Sequence, residues 1–201
     1  IYDEVLELCA QESWLKRFTA LEADPVIVKA NQENRRITLT VAPHAPYTVA
    51  PALWQLARDF AQSRNLTVLA HLAESRQECA WLKVSPRLAG DHDAETQSLA
   101  GELDAYLEWI SPPGTRPDLL KSLPFKEGGR SPTAHLAAHG LLDRNLLAAH
   151  IVELSPEDIA QFADLGARGA LCLRSNLTLG NNAAPAEALE RAAIPYSLGT
   201  D

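Results

Sequence analysis

The sequence predicts an α/β fold on a parallel sheet, closed as a (β/α)8 barrel of the TIM type. Three observations predict it. Short apolar strands alternate with amphipathic helices from residue 36 onward, a pattern that needs crossovers and hence a parallel sheet covered by helices. His44, His71, Glu74, His150, Arg174, Ser175, Asn176 and Asp201 all fall at or just past the C-terminal end of a strand, and they come from five different strands. A barrel gathers polar groups from many strands on that rim, whereas an open sheet concentrates them at one switch point. No G-x-G-x-x-G follows any strand, which counts against a dinucleotide fold.

The elements follow in order. "ITLTVA" over 37–42 is β-branched and apolar, and the prolines of "PHAPYT" stop it, so a strand runs into a loop. Residues 50–65 place Leu53, Leu56, Ala57 and Phe60 on one helical face. "LTVLA" over 66–70 reads as the next strand, "HLAES" as its loop and 76–84 as a helix. The uneven stretch 85–130, rich in Pro, Gly and charge, reads as an insertion with one short helix in "AGELDAYLEWI". Order resumes with Ser131 as cap, Pro132 at the first helical position and Gly140 as stop. "LLAAH" over 146–150 is a strand, and Ser155, Pro156, Glu157, Asp158 and Gly166 repeat the capping device. A strand over 169–173 with Cys172 in its middle, a helix over 185–193 and a last strand in "IPYSLGTD" complete the pattern.

Composition narrows the function classes. With 201 residues, 46% hydrophobic and 22% charged, the chain can bury a core. A net charge of -8 with scattered basic residues argues against a nucleic-acid surface and for a small-molecule partner. Cys9, Cys79 and Cys172 show no C-x-x-C spacing, which suits a reducing compartment, and no apolar run approaches membrane-spanning length. The expected location is the cytoplasm. The chain opens on "IYDEVLEL" and contains no Met, so the domain is expected to continue beyond both of its ends.

A histidine ending a strand is, alone, more often a structural residue than a ligand. Glu74, three residues after His71, could cap the next helix or shuttle a proton beside a metal. Together, His71, His150 and Asp201 at three strand ends supply nitrogen and oxygen donors suited to zinc or another borderline divalent metal. "HLAAH" lacks the glutamate of H-E-x-x-H, so His135 and His139 read as packing or solvent-facing residues.

Five ordered motifs carry a family resemblance: "VAPHAPYTV" (41–49), "LAHLAES" (69–75), "LLAAHIVELSPEDI" (146–159), "LCLRSNLTLG" (171–180) and "SLGTD" (197–201). They resemble the amidohydrolase superfamily, nearest its chlorohydrolase and aminohydrolase branch, which includes S-adenosylhomocysteine, methylthioadenosine, aminofutalosine and guanine deaminases. The resemblance implies a barrel of which strands 3 to 8 are present, filling 1–201, with the 85–130 insertion between strands five and six, over the mouth. It implies one divalent metal, zinc first and iron or manganese next, with His71 as the fifth-strand ligand and Asp201 as the eighth-strand ligand and catalytic base. Glu74 would protonate a ring nitrogen of the substrate, His150 orient the attacking hydroxide, and His44 contact the substrate. Arg174, Ser175 and Asn176 would shape the pocket, although Leu173 stands where the family usually has Pro. The first-strand H-x-H is absent, and residues 4–6 would match the third strand.

The implied activity is metal-dependent hydrolytic deamination of an aminated heterocycle such as a purine or nucleoside, with hydroxide attacking the amino-bearing ring carbon and ammonia leaving. Two alternatives stand beside it: hydrolysis of a ring chloride or cyclic amide within the same superfamily, and a metal-free binding barrel without catalysis. Barrels of this family often pair, so a homodimer is an expected state.

Overall fold

The computed structural model describes residues 11–34, 37, 39–49, 51–84, 92–110 and 129–201. A parallel sheet of four strands runs in chain order, β1 (Val68–Leu72), β2 (Leu146–His150), β3 (Arg168–Leu171) and β4 (Tyr196–Leu198). Its helices are α1 (Gln11–Glu22), α2 (Pro25–Asn34), α3 (Pro51–Ser63), α4 (Arg76–Lys83), α5 (Ala94–Ile110), α6 (Pro132–Ala138), α7 (Pro156–Leu165), α8 (Leu173–Thr178) and α9 (Ala186–Arg191). Strands paired in sequence order through helical crossovers form a continuous arc of the predicted (β/α)8 barrel. No helix among the described residues is long and apolar enough to cross a membrane.

The two strand faces have different tasks. Val68, Ala70, Leu72, Leu146 and Ala148 are buried in a core with Trp54, Phe60, Leu136 and Phe162. Leu69, His71, Leu147, Ala149 and Ala170 alternate with them and line the opposite, concave face. Capping stops the crossovers where the sequence indicates. Ser131 and Ser155 accept from Ala134 N–H and Asp158 N–H, Ser155 and Asp158 form a reciprocal capping box, and Gly166 ends α7 at φ 75°. The carboxylate of Asp158 also accepts from the Ser131 hydroxyl, so one buried acid ties the starts of α6 and α7 together.

Four expectations need correction. Among the described residues of 37–42, the expected strand reduces to a single parallel bridge, Val41 to Val68. The Thr40 hydroxyl bonds the Thr67 carbonyl and Pro43 has no N–H, so a regular ladder cannot extend. β1 runs two residues later than expected, which puts His71 inside the strand rather than in the loop. Cys172 is the N-cap of α8 rather than a mid-strand residue, because β3 stops at Leu171. The short helix expected near 100–110 begins at Ala94 and packs on α4, with Gln77 donating to Glu102 at 3.0 Å and Trp81 to Asp104 at 2.9 Å. Residues 4–6 and the remainder of the insertion, 85–91 and 111–128, lie outside the described residues.

Candidate active site

Parallel register places the strand ends side by side. His71 pairs with Ala149 and Leu72 with His150, so the two histidines sit on adjacent strands one step apart. Simple alternation would put His150 on the helix-facing side with Leu146 and Ala148. Its ring instead stacks on that of His71, centroids 5.1 Å apart and planes at 23°. The left-handed backbone at His150 (φ 72°) and Ile151 (φ 43°) turns the end of β2 back toward the concave face. Ala73 (φ 49°) bends the chain after β1, and Asp201 beyond β4 also has a positive φ (74°). Four non-glycine residues in this costly conformation around one rim mark a place where geometry is held against local preference.

The rim groups converge. A nitrogen of His71, a nitrogen of His150 and a carboxylate oxygen of Asp201 lie within 4.8 Å of one another. Nε2 of His71 is 3.8 Å from Asp201 Oδ1, and Nε2 of His150 is 3.9 Å from the same oxygen and 3.8 Å from Glu74 Oε2. His44 stands beside them, its ring 4.9 Å from that of His71 and its Nδ1 2.8 Å from the Thr48 hydroxyl. Burial, and then the nearby imidazoles of His71 and His150, pull His44 down to about 4, so its ring is neutral at physiological pH. The Ser175 hydroxyl donates to Asp201 Oδ2 at 2.6 Å and is the main reason the Asp201 carboxyl lies below its usual range.

The donors suit a cation. His71 Nδ1 donates to the His44 carbonyl at 3.1 Å, and His150 Nδ1 donates to Asn176 Oδ1 at 2.8 Å. Both protons are thereby fixed on Nδ1, which leaves the Nε2 lone pairs directed at the carboxylates. His150 is fully buried, and its Nε2 has no hydrogen-bond partner. Lone pairs of two imidazoles facing a carboxylate repel one another unless a positive charge lies among them, and two nitrogens with one oxygen are donors a zinc-like ion accepts. A concavity of about 360 Å³ opens next to His44 and His71, floored by Leu69, Leu147, Ala149 and Ala170.

The three residues expected to shape the pocket take separate places. Arg174 is exposed, Ser175 holds Asp201, and Asn176 is fully buried behind His150. Two polar residues outside the sequence reading also enter the site. Thr48 fixes the ring of His44, and Glu78, buried on α4, accepts from the N–H groups of Ala73 and Glu74 at 3.1 and 2.9 Å. A signal for Glu78 was present in Ser75-x-x-Glu78, the spacing of a capping box.

Comparison with known proteins identifies the family and the fold. The model of the amidohydrolase family matches residues 15–201. A 5-methylthioadenosine/S-adenosylhomocysteine deaminase of Nitratidesulfovibrio vulgaris (strain DP4) is 29% identical over 170 residues, covering 85% of this chain and 29% of the relative. One of the same name from Aquifex aeolicus is 25% identical over 170 residues, covering 84% of this chain and 30% of the relative. The chain thus spans about 30% of the length of the curated relatives it matches. The solved structure of an adenosine deaminase from Xanthomonas campestris with bound zinc superimposes with a TM-score of 0.59 at 25% identity, over 90% of this chain and 32% of that one.

Proposed function

The chain belongs to the amidohydrolase family, and from that premise we propose that it carries the deaminating half of a site that hydrolyses the amino group of a purine nucleoside or related heterocycle. One observation carries the reading: two imidazole Nε2 atoms and a carboxylate within 4.8 Å at the C-terminal rim of a parallel sheet, with a second carboxylate, Glu74, 3.8 Å from one of the nitrogens. The deaminase names of the relatives and the zinc of the Xanthomonas campestris neighbour support it.

His71 and Asp201 would hold the divalent cation, zinc first and iron or manganese next, with His150 Nε2 in the same donor group. When bound, the cation supplies Lewis acidity that lowers the pKa of a water to about 7. Asp201, fixed through Oδ2 by Ser175, takes a proton from the attacking water on Oδ1. Glu74 gives a proton to the ring nitrogen beside the amino-bearing carbon, so negative charge does not accumulate as that carbon becomes tetrahedral. The proton on Asp201 then passes to the amino group, ammonia leaves, and the new hydroxyl returns a proton to Glu74 as the carbonyl forms. His150 orients the water, and the neutral His44 ring, beside that of His71 on the rim, contacts the heterocycle.

Elemental analysis of the purified protein and an ammonia assay test this reading. About one zinc, iron or manganese per chain is expected, lost in a His71→Ala, Asp201→Ala double variant. Ammonia release is expected from at least one of S-adenosylhomocysteine, 5-methylthioadenosine, adenosine and guanine. No bound metal and no uptake on reconstitution would overturn the reading, and chloride release from a chlorotriazine with no ammonia from that panel would replace deamination by dechlorination.

A further inference from the structure

Glu78 is a carboxylate with almost no exposed surface, in the first turn of α4, and none of the roles above uses it. Its own N–H bonds the Ser75 hydroxyl at 3.2 Å, which places it at the third position of the helix. A glutamate there ordinarily reaches back to the N–H of the cap residue. Glu78 reaches further. Its Oε1 accepts from Ala73 N–H at 3.1 Å and its Oε2 from Glu74 N–H at 2.9 Å. These two amides form the corner that leaves β1, and Ala73 stands in that corner at φ 49°.

The corner does two things. The Ala73 carbonyl accepts from the N–H groups of Val152 and Glu153, both at 2.9 Å, so it joins the end of β1 to the end of β2 behind His150. It also sends out the Glu74 side chain, whose Oε2 lies 3.8 Å from His150 Nε2. A left-handed alanine does not hold itself, and two N–H groups anchored on one rigid acceptor supply the missing constraint. Burial raises the Glu78 carboxyl to about 8 while the same two N–H groups pull it down, which marks a carboxyl kept in place at a cost in solvation.

We propose that Glu78 is a positioning residue: by clamping the Ala73 and Glu74 amides it fixes the direction of Glu74, and so where the site delivers its proton. The inference rests on the deaminase reading for its effect on turnover, and on geometry alone for the clamp.

Glu78→Gln separates the two. Glutamine keeps the volume and one acceptor, but its amide NH2 faces an N–H donor, so one of the two bonds must break. Amide hydrogen exchange at Ala73 and Glu74 should accelerate at least about tenfold, with the amides of β2 unchanged. With S-adenosylhomocysteine or whichever purine of the panel is turned over, kcat should fall by roughly 10²-fold, the scale of a misplacement near 1 Å. KM and zinc content should stay within about twofold. In a Glu74→Gln background, Glu78→Gln should add little further loss, because the group it aims is already gone. Glu78→Asp retains both oxygens on a shorter arm and should fall between wild type and Gln, which keeps the test open if the Gln variant does not fold. Wild-type exchange at both amides would overturn the clamp, and losses that multiply fully with those of Glu74→Gln would overturn the positioning role. An inactive wild-type protein would remove the deaminase reading, while exchange at Ala73 and Glu74 would still decide the clamp.

Discussion

Asn176→Leu tests how the fold prepares His150. The ring of His150 is fully buried, its Nδ1 is 2.8 Å from Asn176 Oδ1, and its Nε2 faces the carboxylates of Glu74 and Asp201 at 3.8 and 3.9 Å. Leucine keeps the branching and the number of heavy atoms and removes the acceptor. If the proton stays on Nδ1, a buried N–H is left without a partner, at about 1–3 kcal/mol. If it moves to Nε2, where two carboxylates can take it, that penalty is relieved but the lone pair directed into the site is lost. The first route lowers the stability of the fold by that amount and leaves the lone pair in place; the second puts a proton on the nitrogen that faces the site and should cost about 10–100-fold in metal affinity or activity, as loss of a partner behind a metal-site histidine typically does. Chelator competition measures the zinc dissociation constant, and the nitrogen chemical shifts of the imidazole show which nitrogen carries the proton. Unchanged stability in urea unfolding together with a zinc affinity and a turnover within twofold of wild type would refute the reasoning.

Two further outcomes are expected. His44 is held at about 4, mainly by burial, so between about 4 and 6.5 the folded chain binds fewer protons than the unfolded one, and this contribution to stability is present above 6.5 and lost as the pH falls toward 4. At about 1.36 kcal/mol per pH unit the interval is worth at most about 3 kcal/mol; urea unfolding of the metal-free protein at pH 7 and pH 4 should show wild type losing more stability than His44→Gln, and equal losses would refute the assignment. Gly169 lies under Ile151, where an added Cβ would come 2.5 Å from Cδ1, so Gly169→Ala should cost about 1–3 kcal/mol. Ile151→Val removes that carbon and should recover most of the loss in the double variant, and simple additivity in chemical denaturation would count against the contact.

The parts of the site that obey local rules were legible in the sequence. His71, His150 and Asp201 each stand at or just past the C-terminal end of an apolar strand, and the Ser-Pro starts at Ser131 and Ser155 fix their helices because cap chemistry is settled within four residues. Partners that meet only in three dimensions were not legible. Asn176 belongs by its motif to the pocket, yet 26 residues of chain return it to the back of His150. The segment 37–42 has the composition of a strand, but the Thr40 hydroxyl and Pro43 limit it to one bridge. The helices α1 and α2 escaped because they lie upstream of residue 36, before the alternating pattern begins.

The left-handed residues explain why a short sequence signal yields so concentrated a site. Glycine would reach φ 72° at position 150 or 49° at position 73 at no steric cost, but glycine has no imidazole, and more freedom at Ala73 would loosen the residue that precedes Glu74. The chain instead keeps Ala73, His150, Ile151 and Asp201 in that conformation and surrounds them with constraints. The Glu78 carboxylate holds the Ala73 amide, the Leu72 carbonyl accepts from the Ile151 N–H at 3.0 Å, and the Ser175 hydroxyl holds Asp201. Each constraint comes from an element other than the one it restrains: α4 behind β1, β1 behind β2, and α8 beside β4. Strain at one strand end is therefore supported by its neighbours.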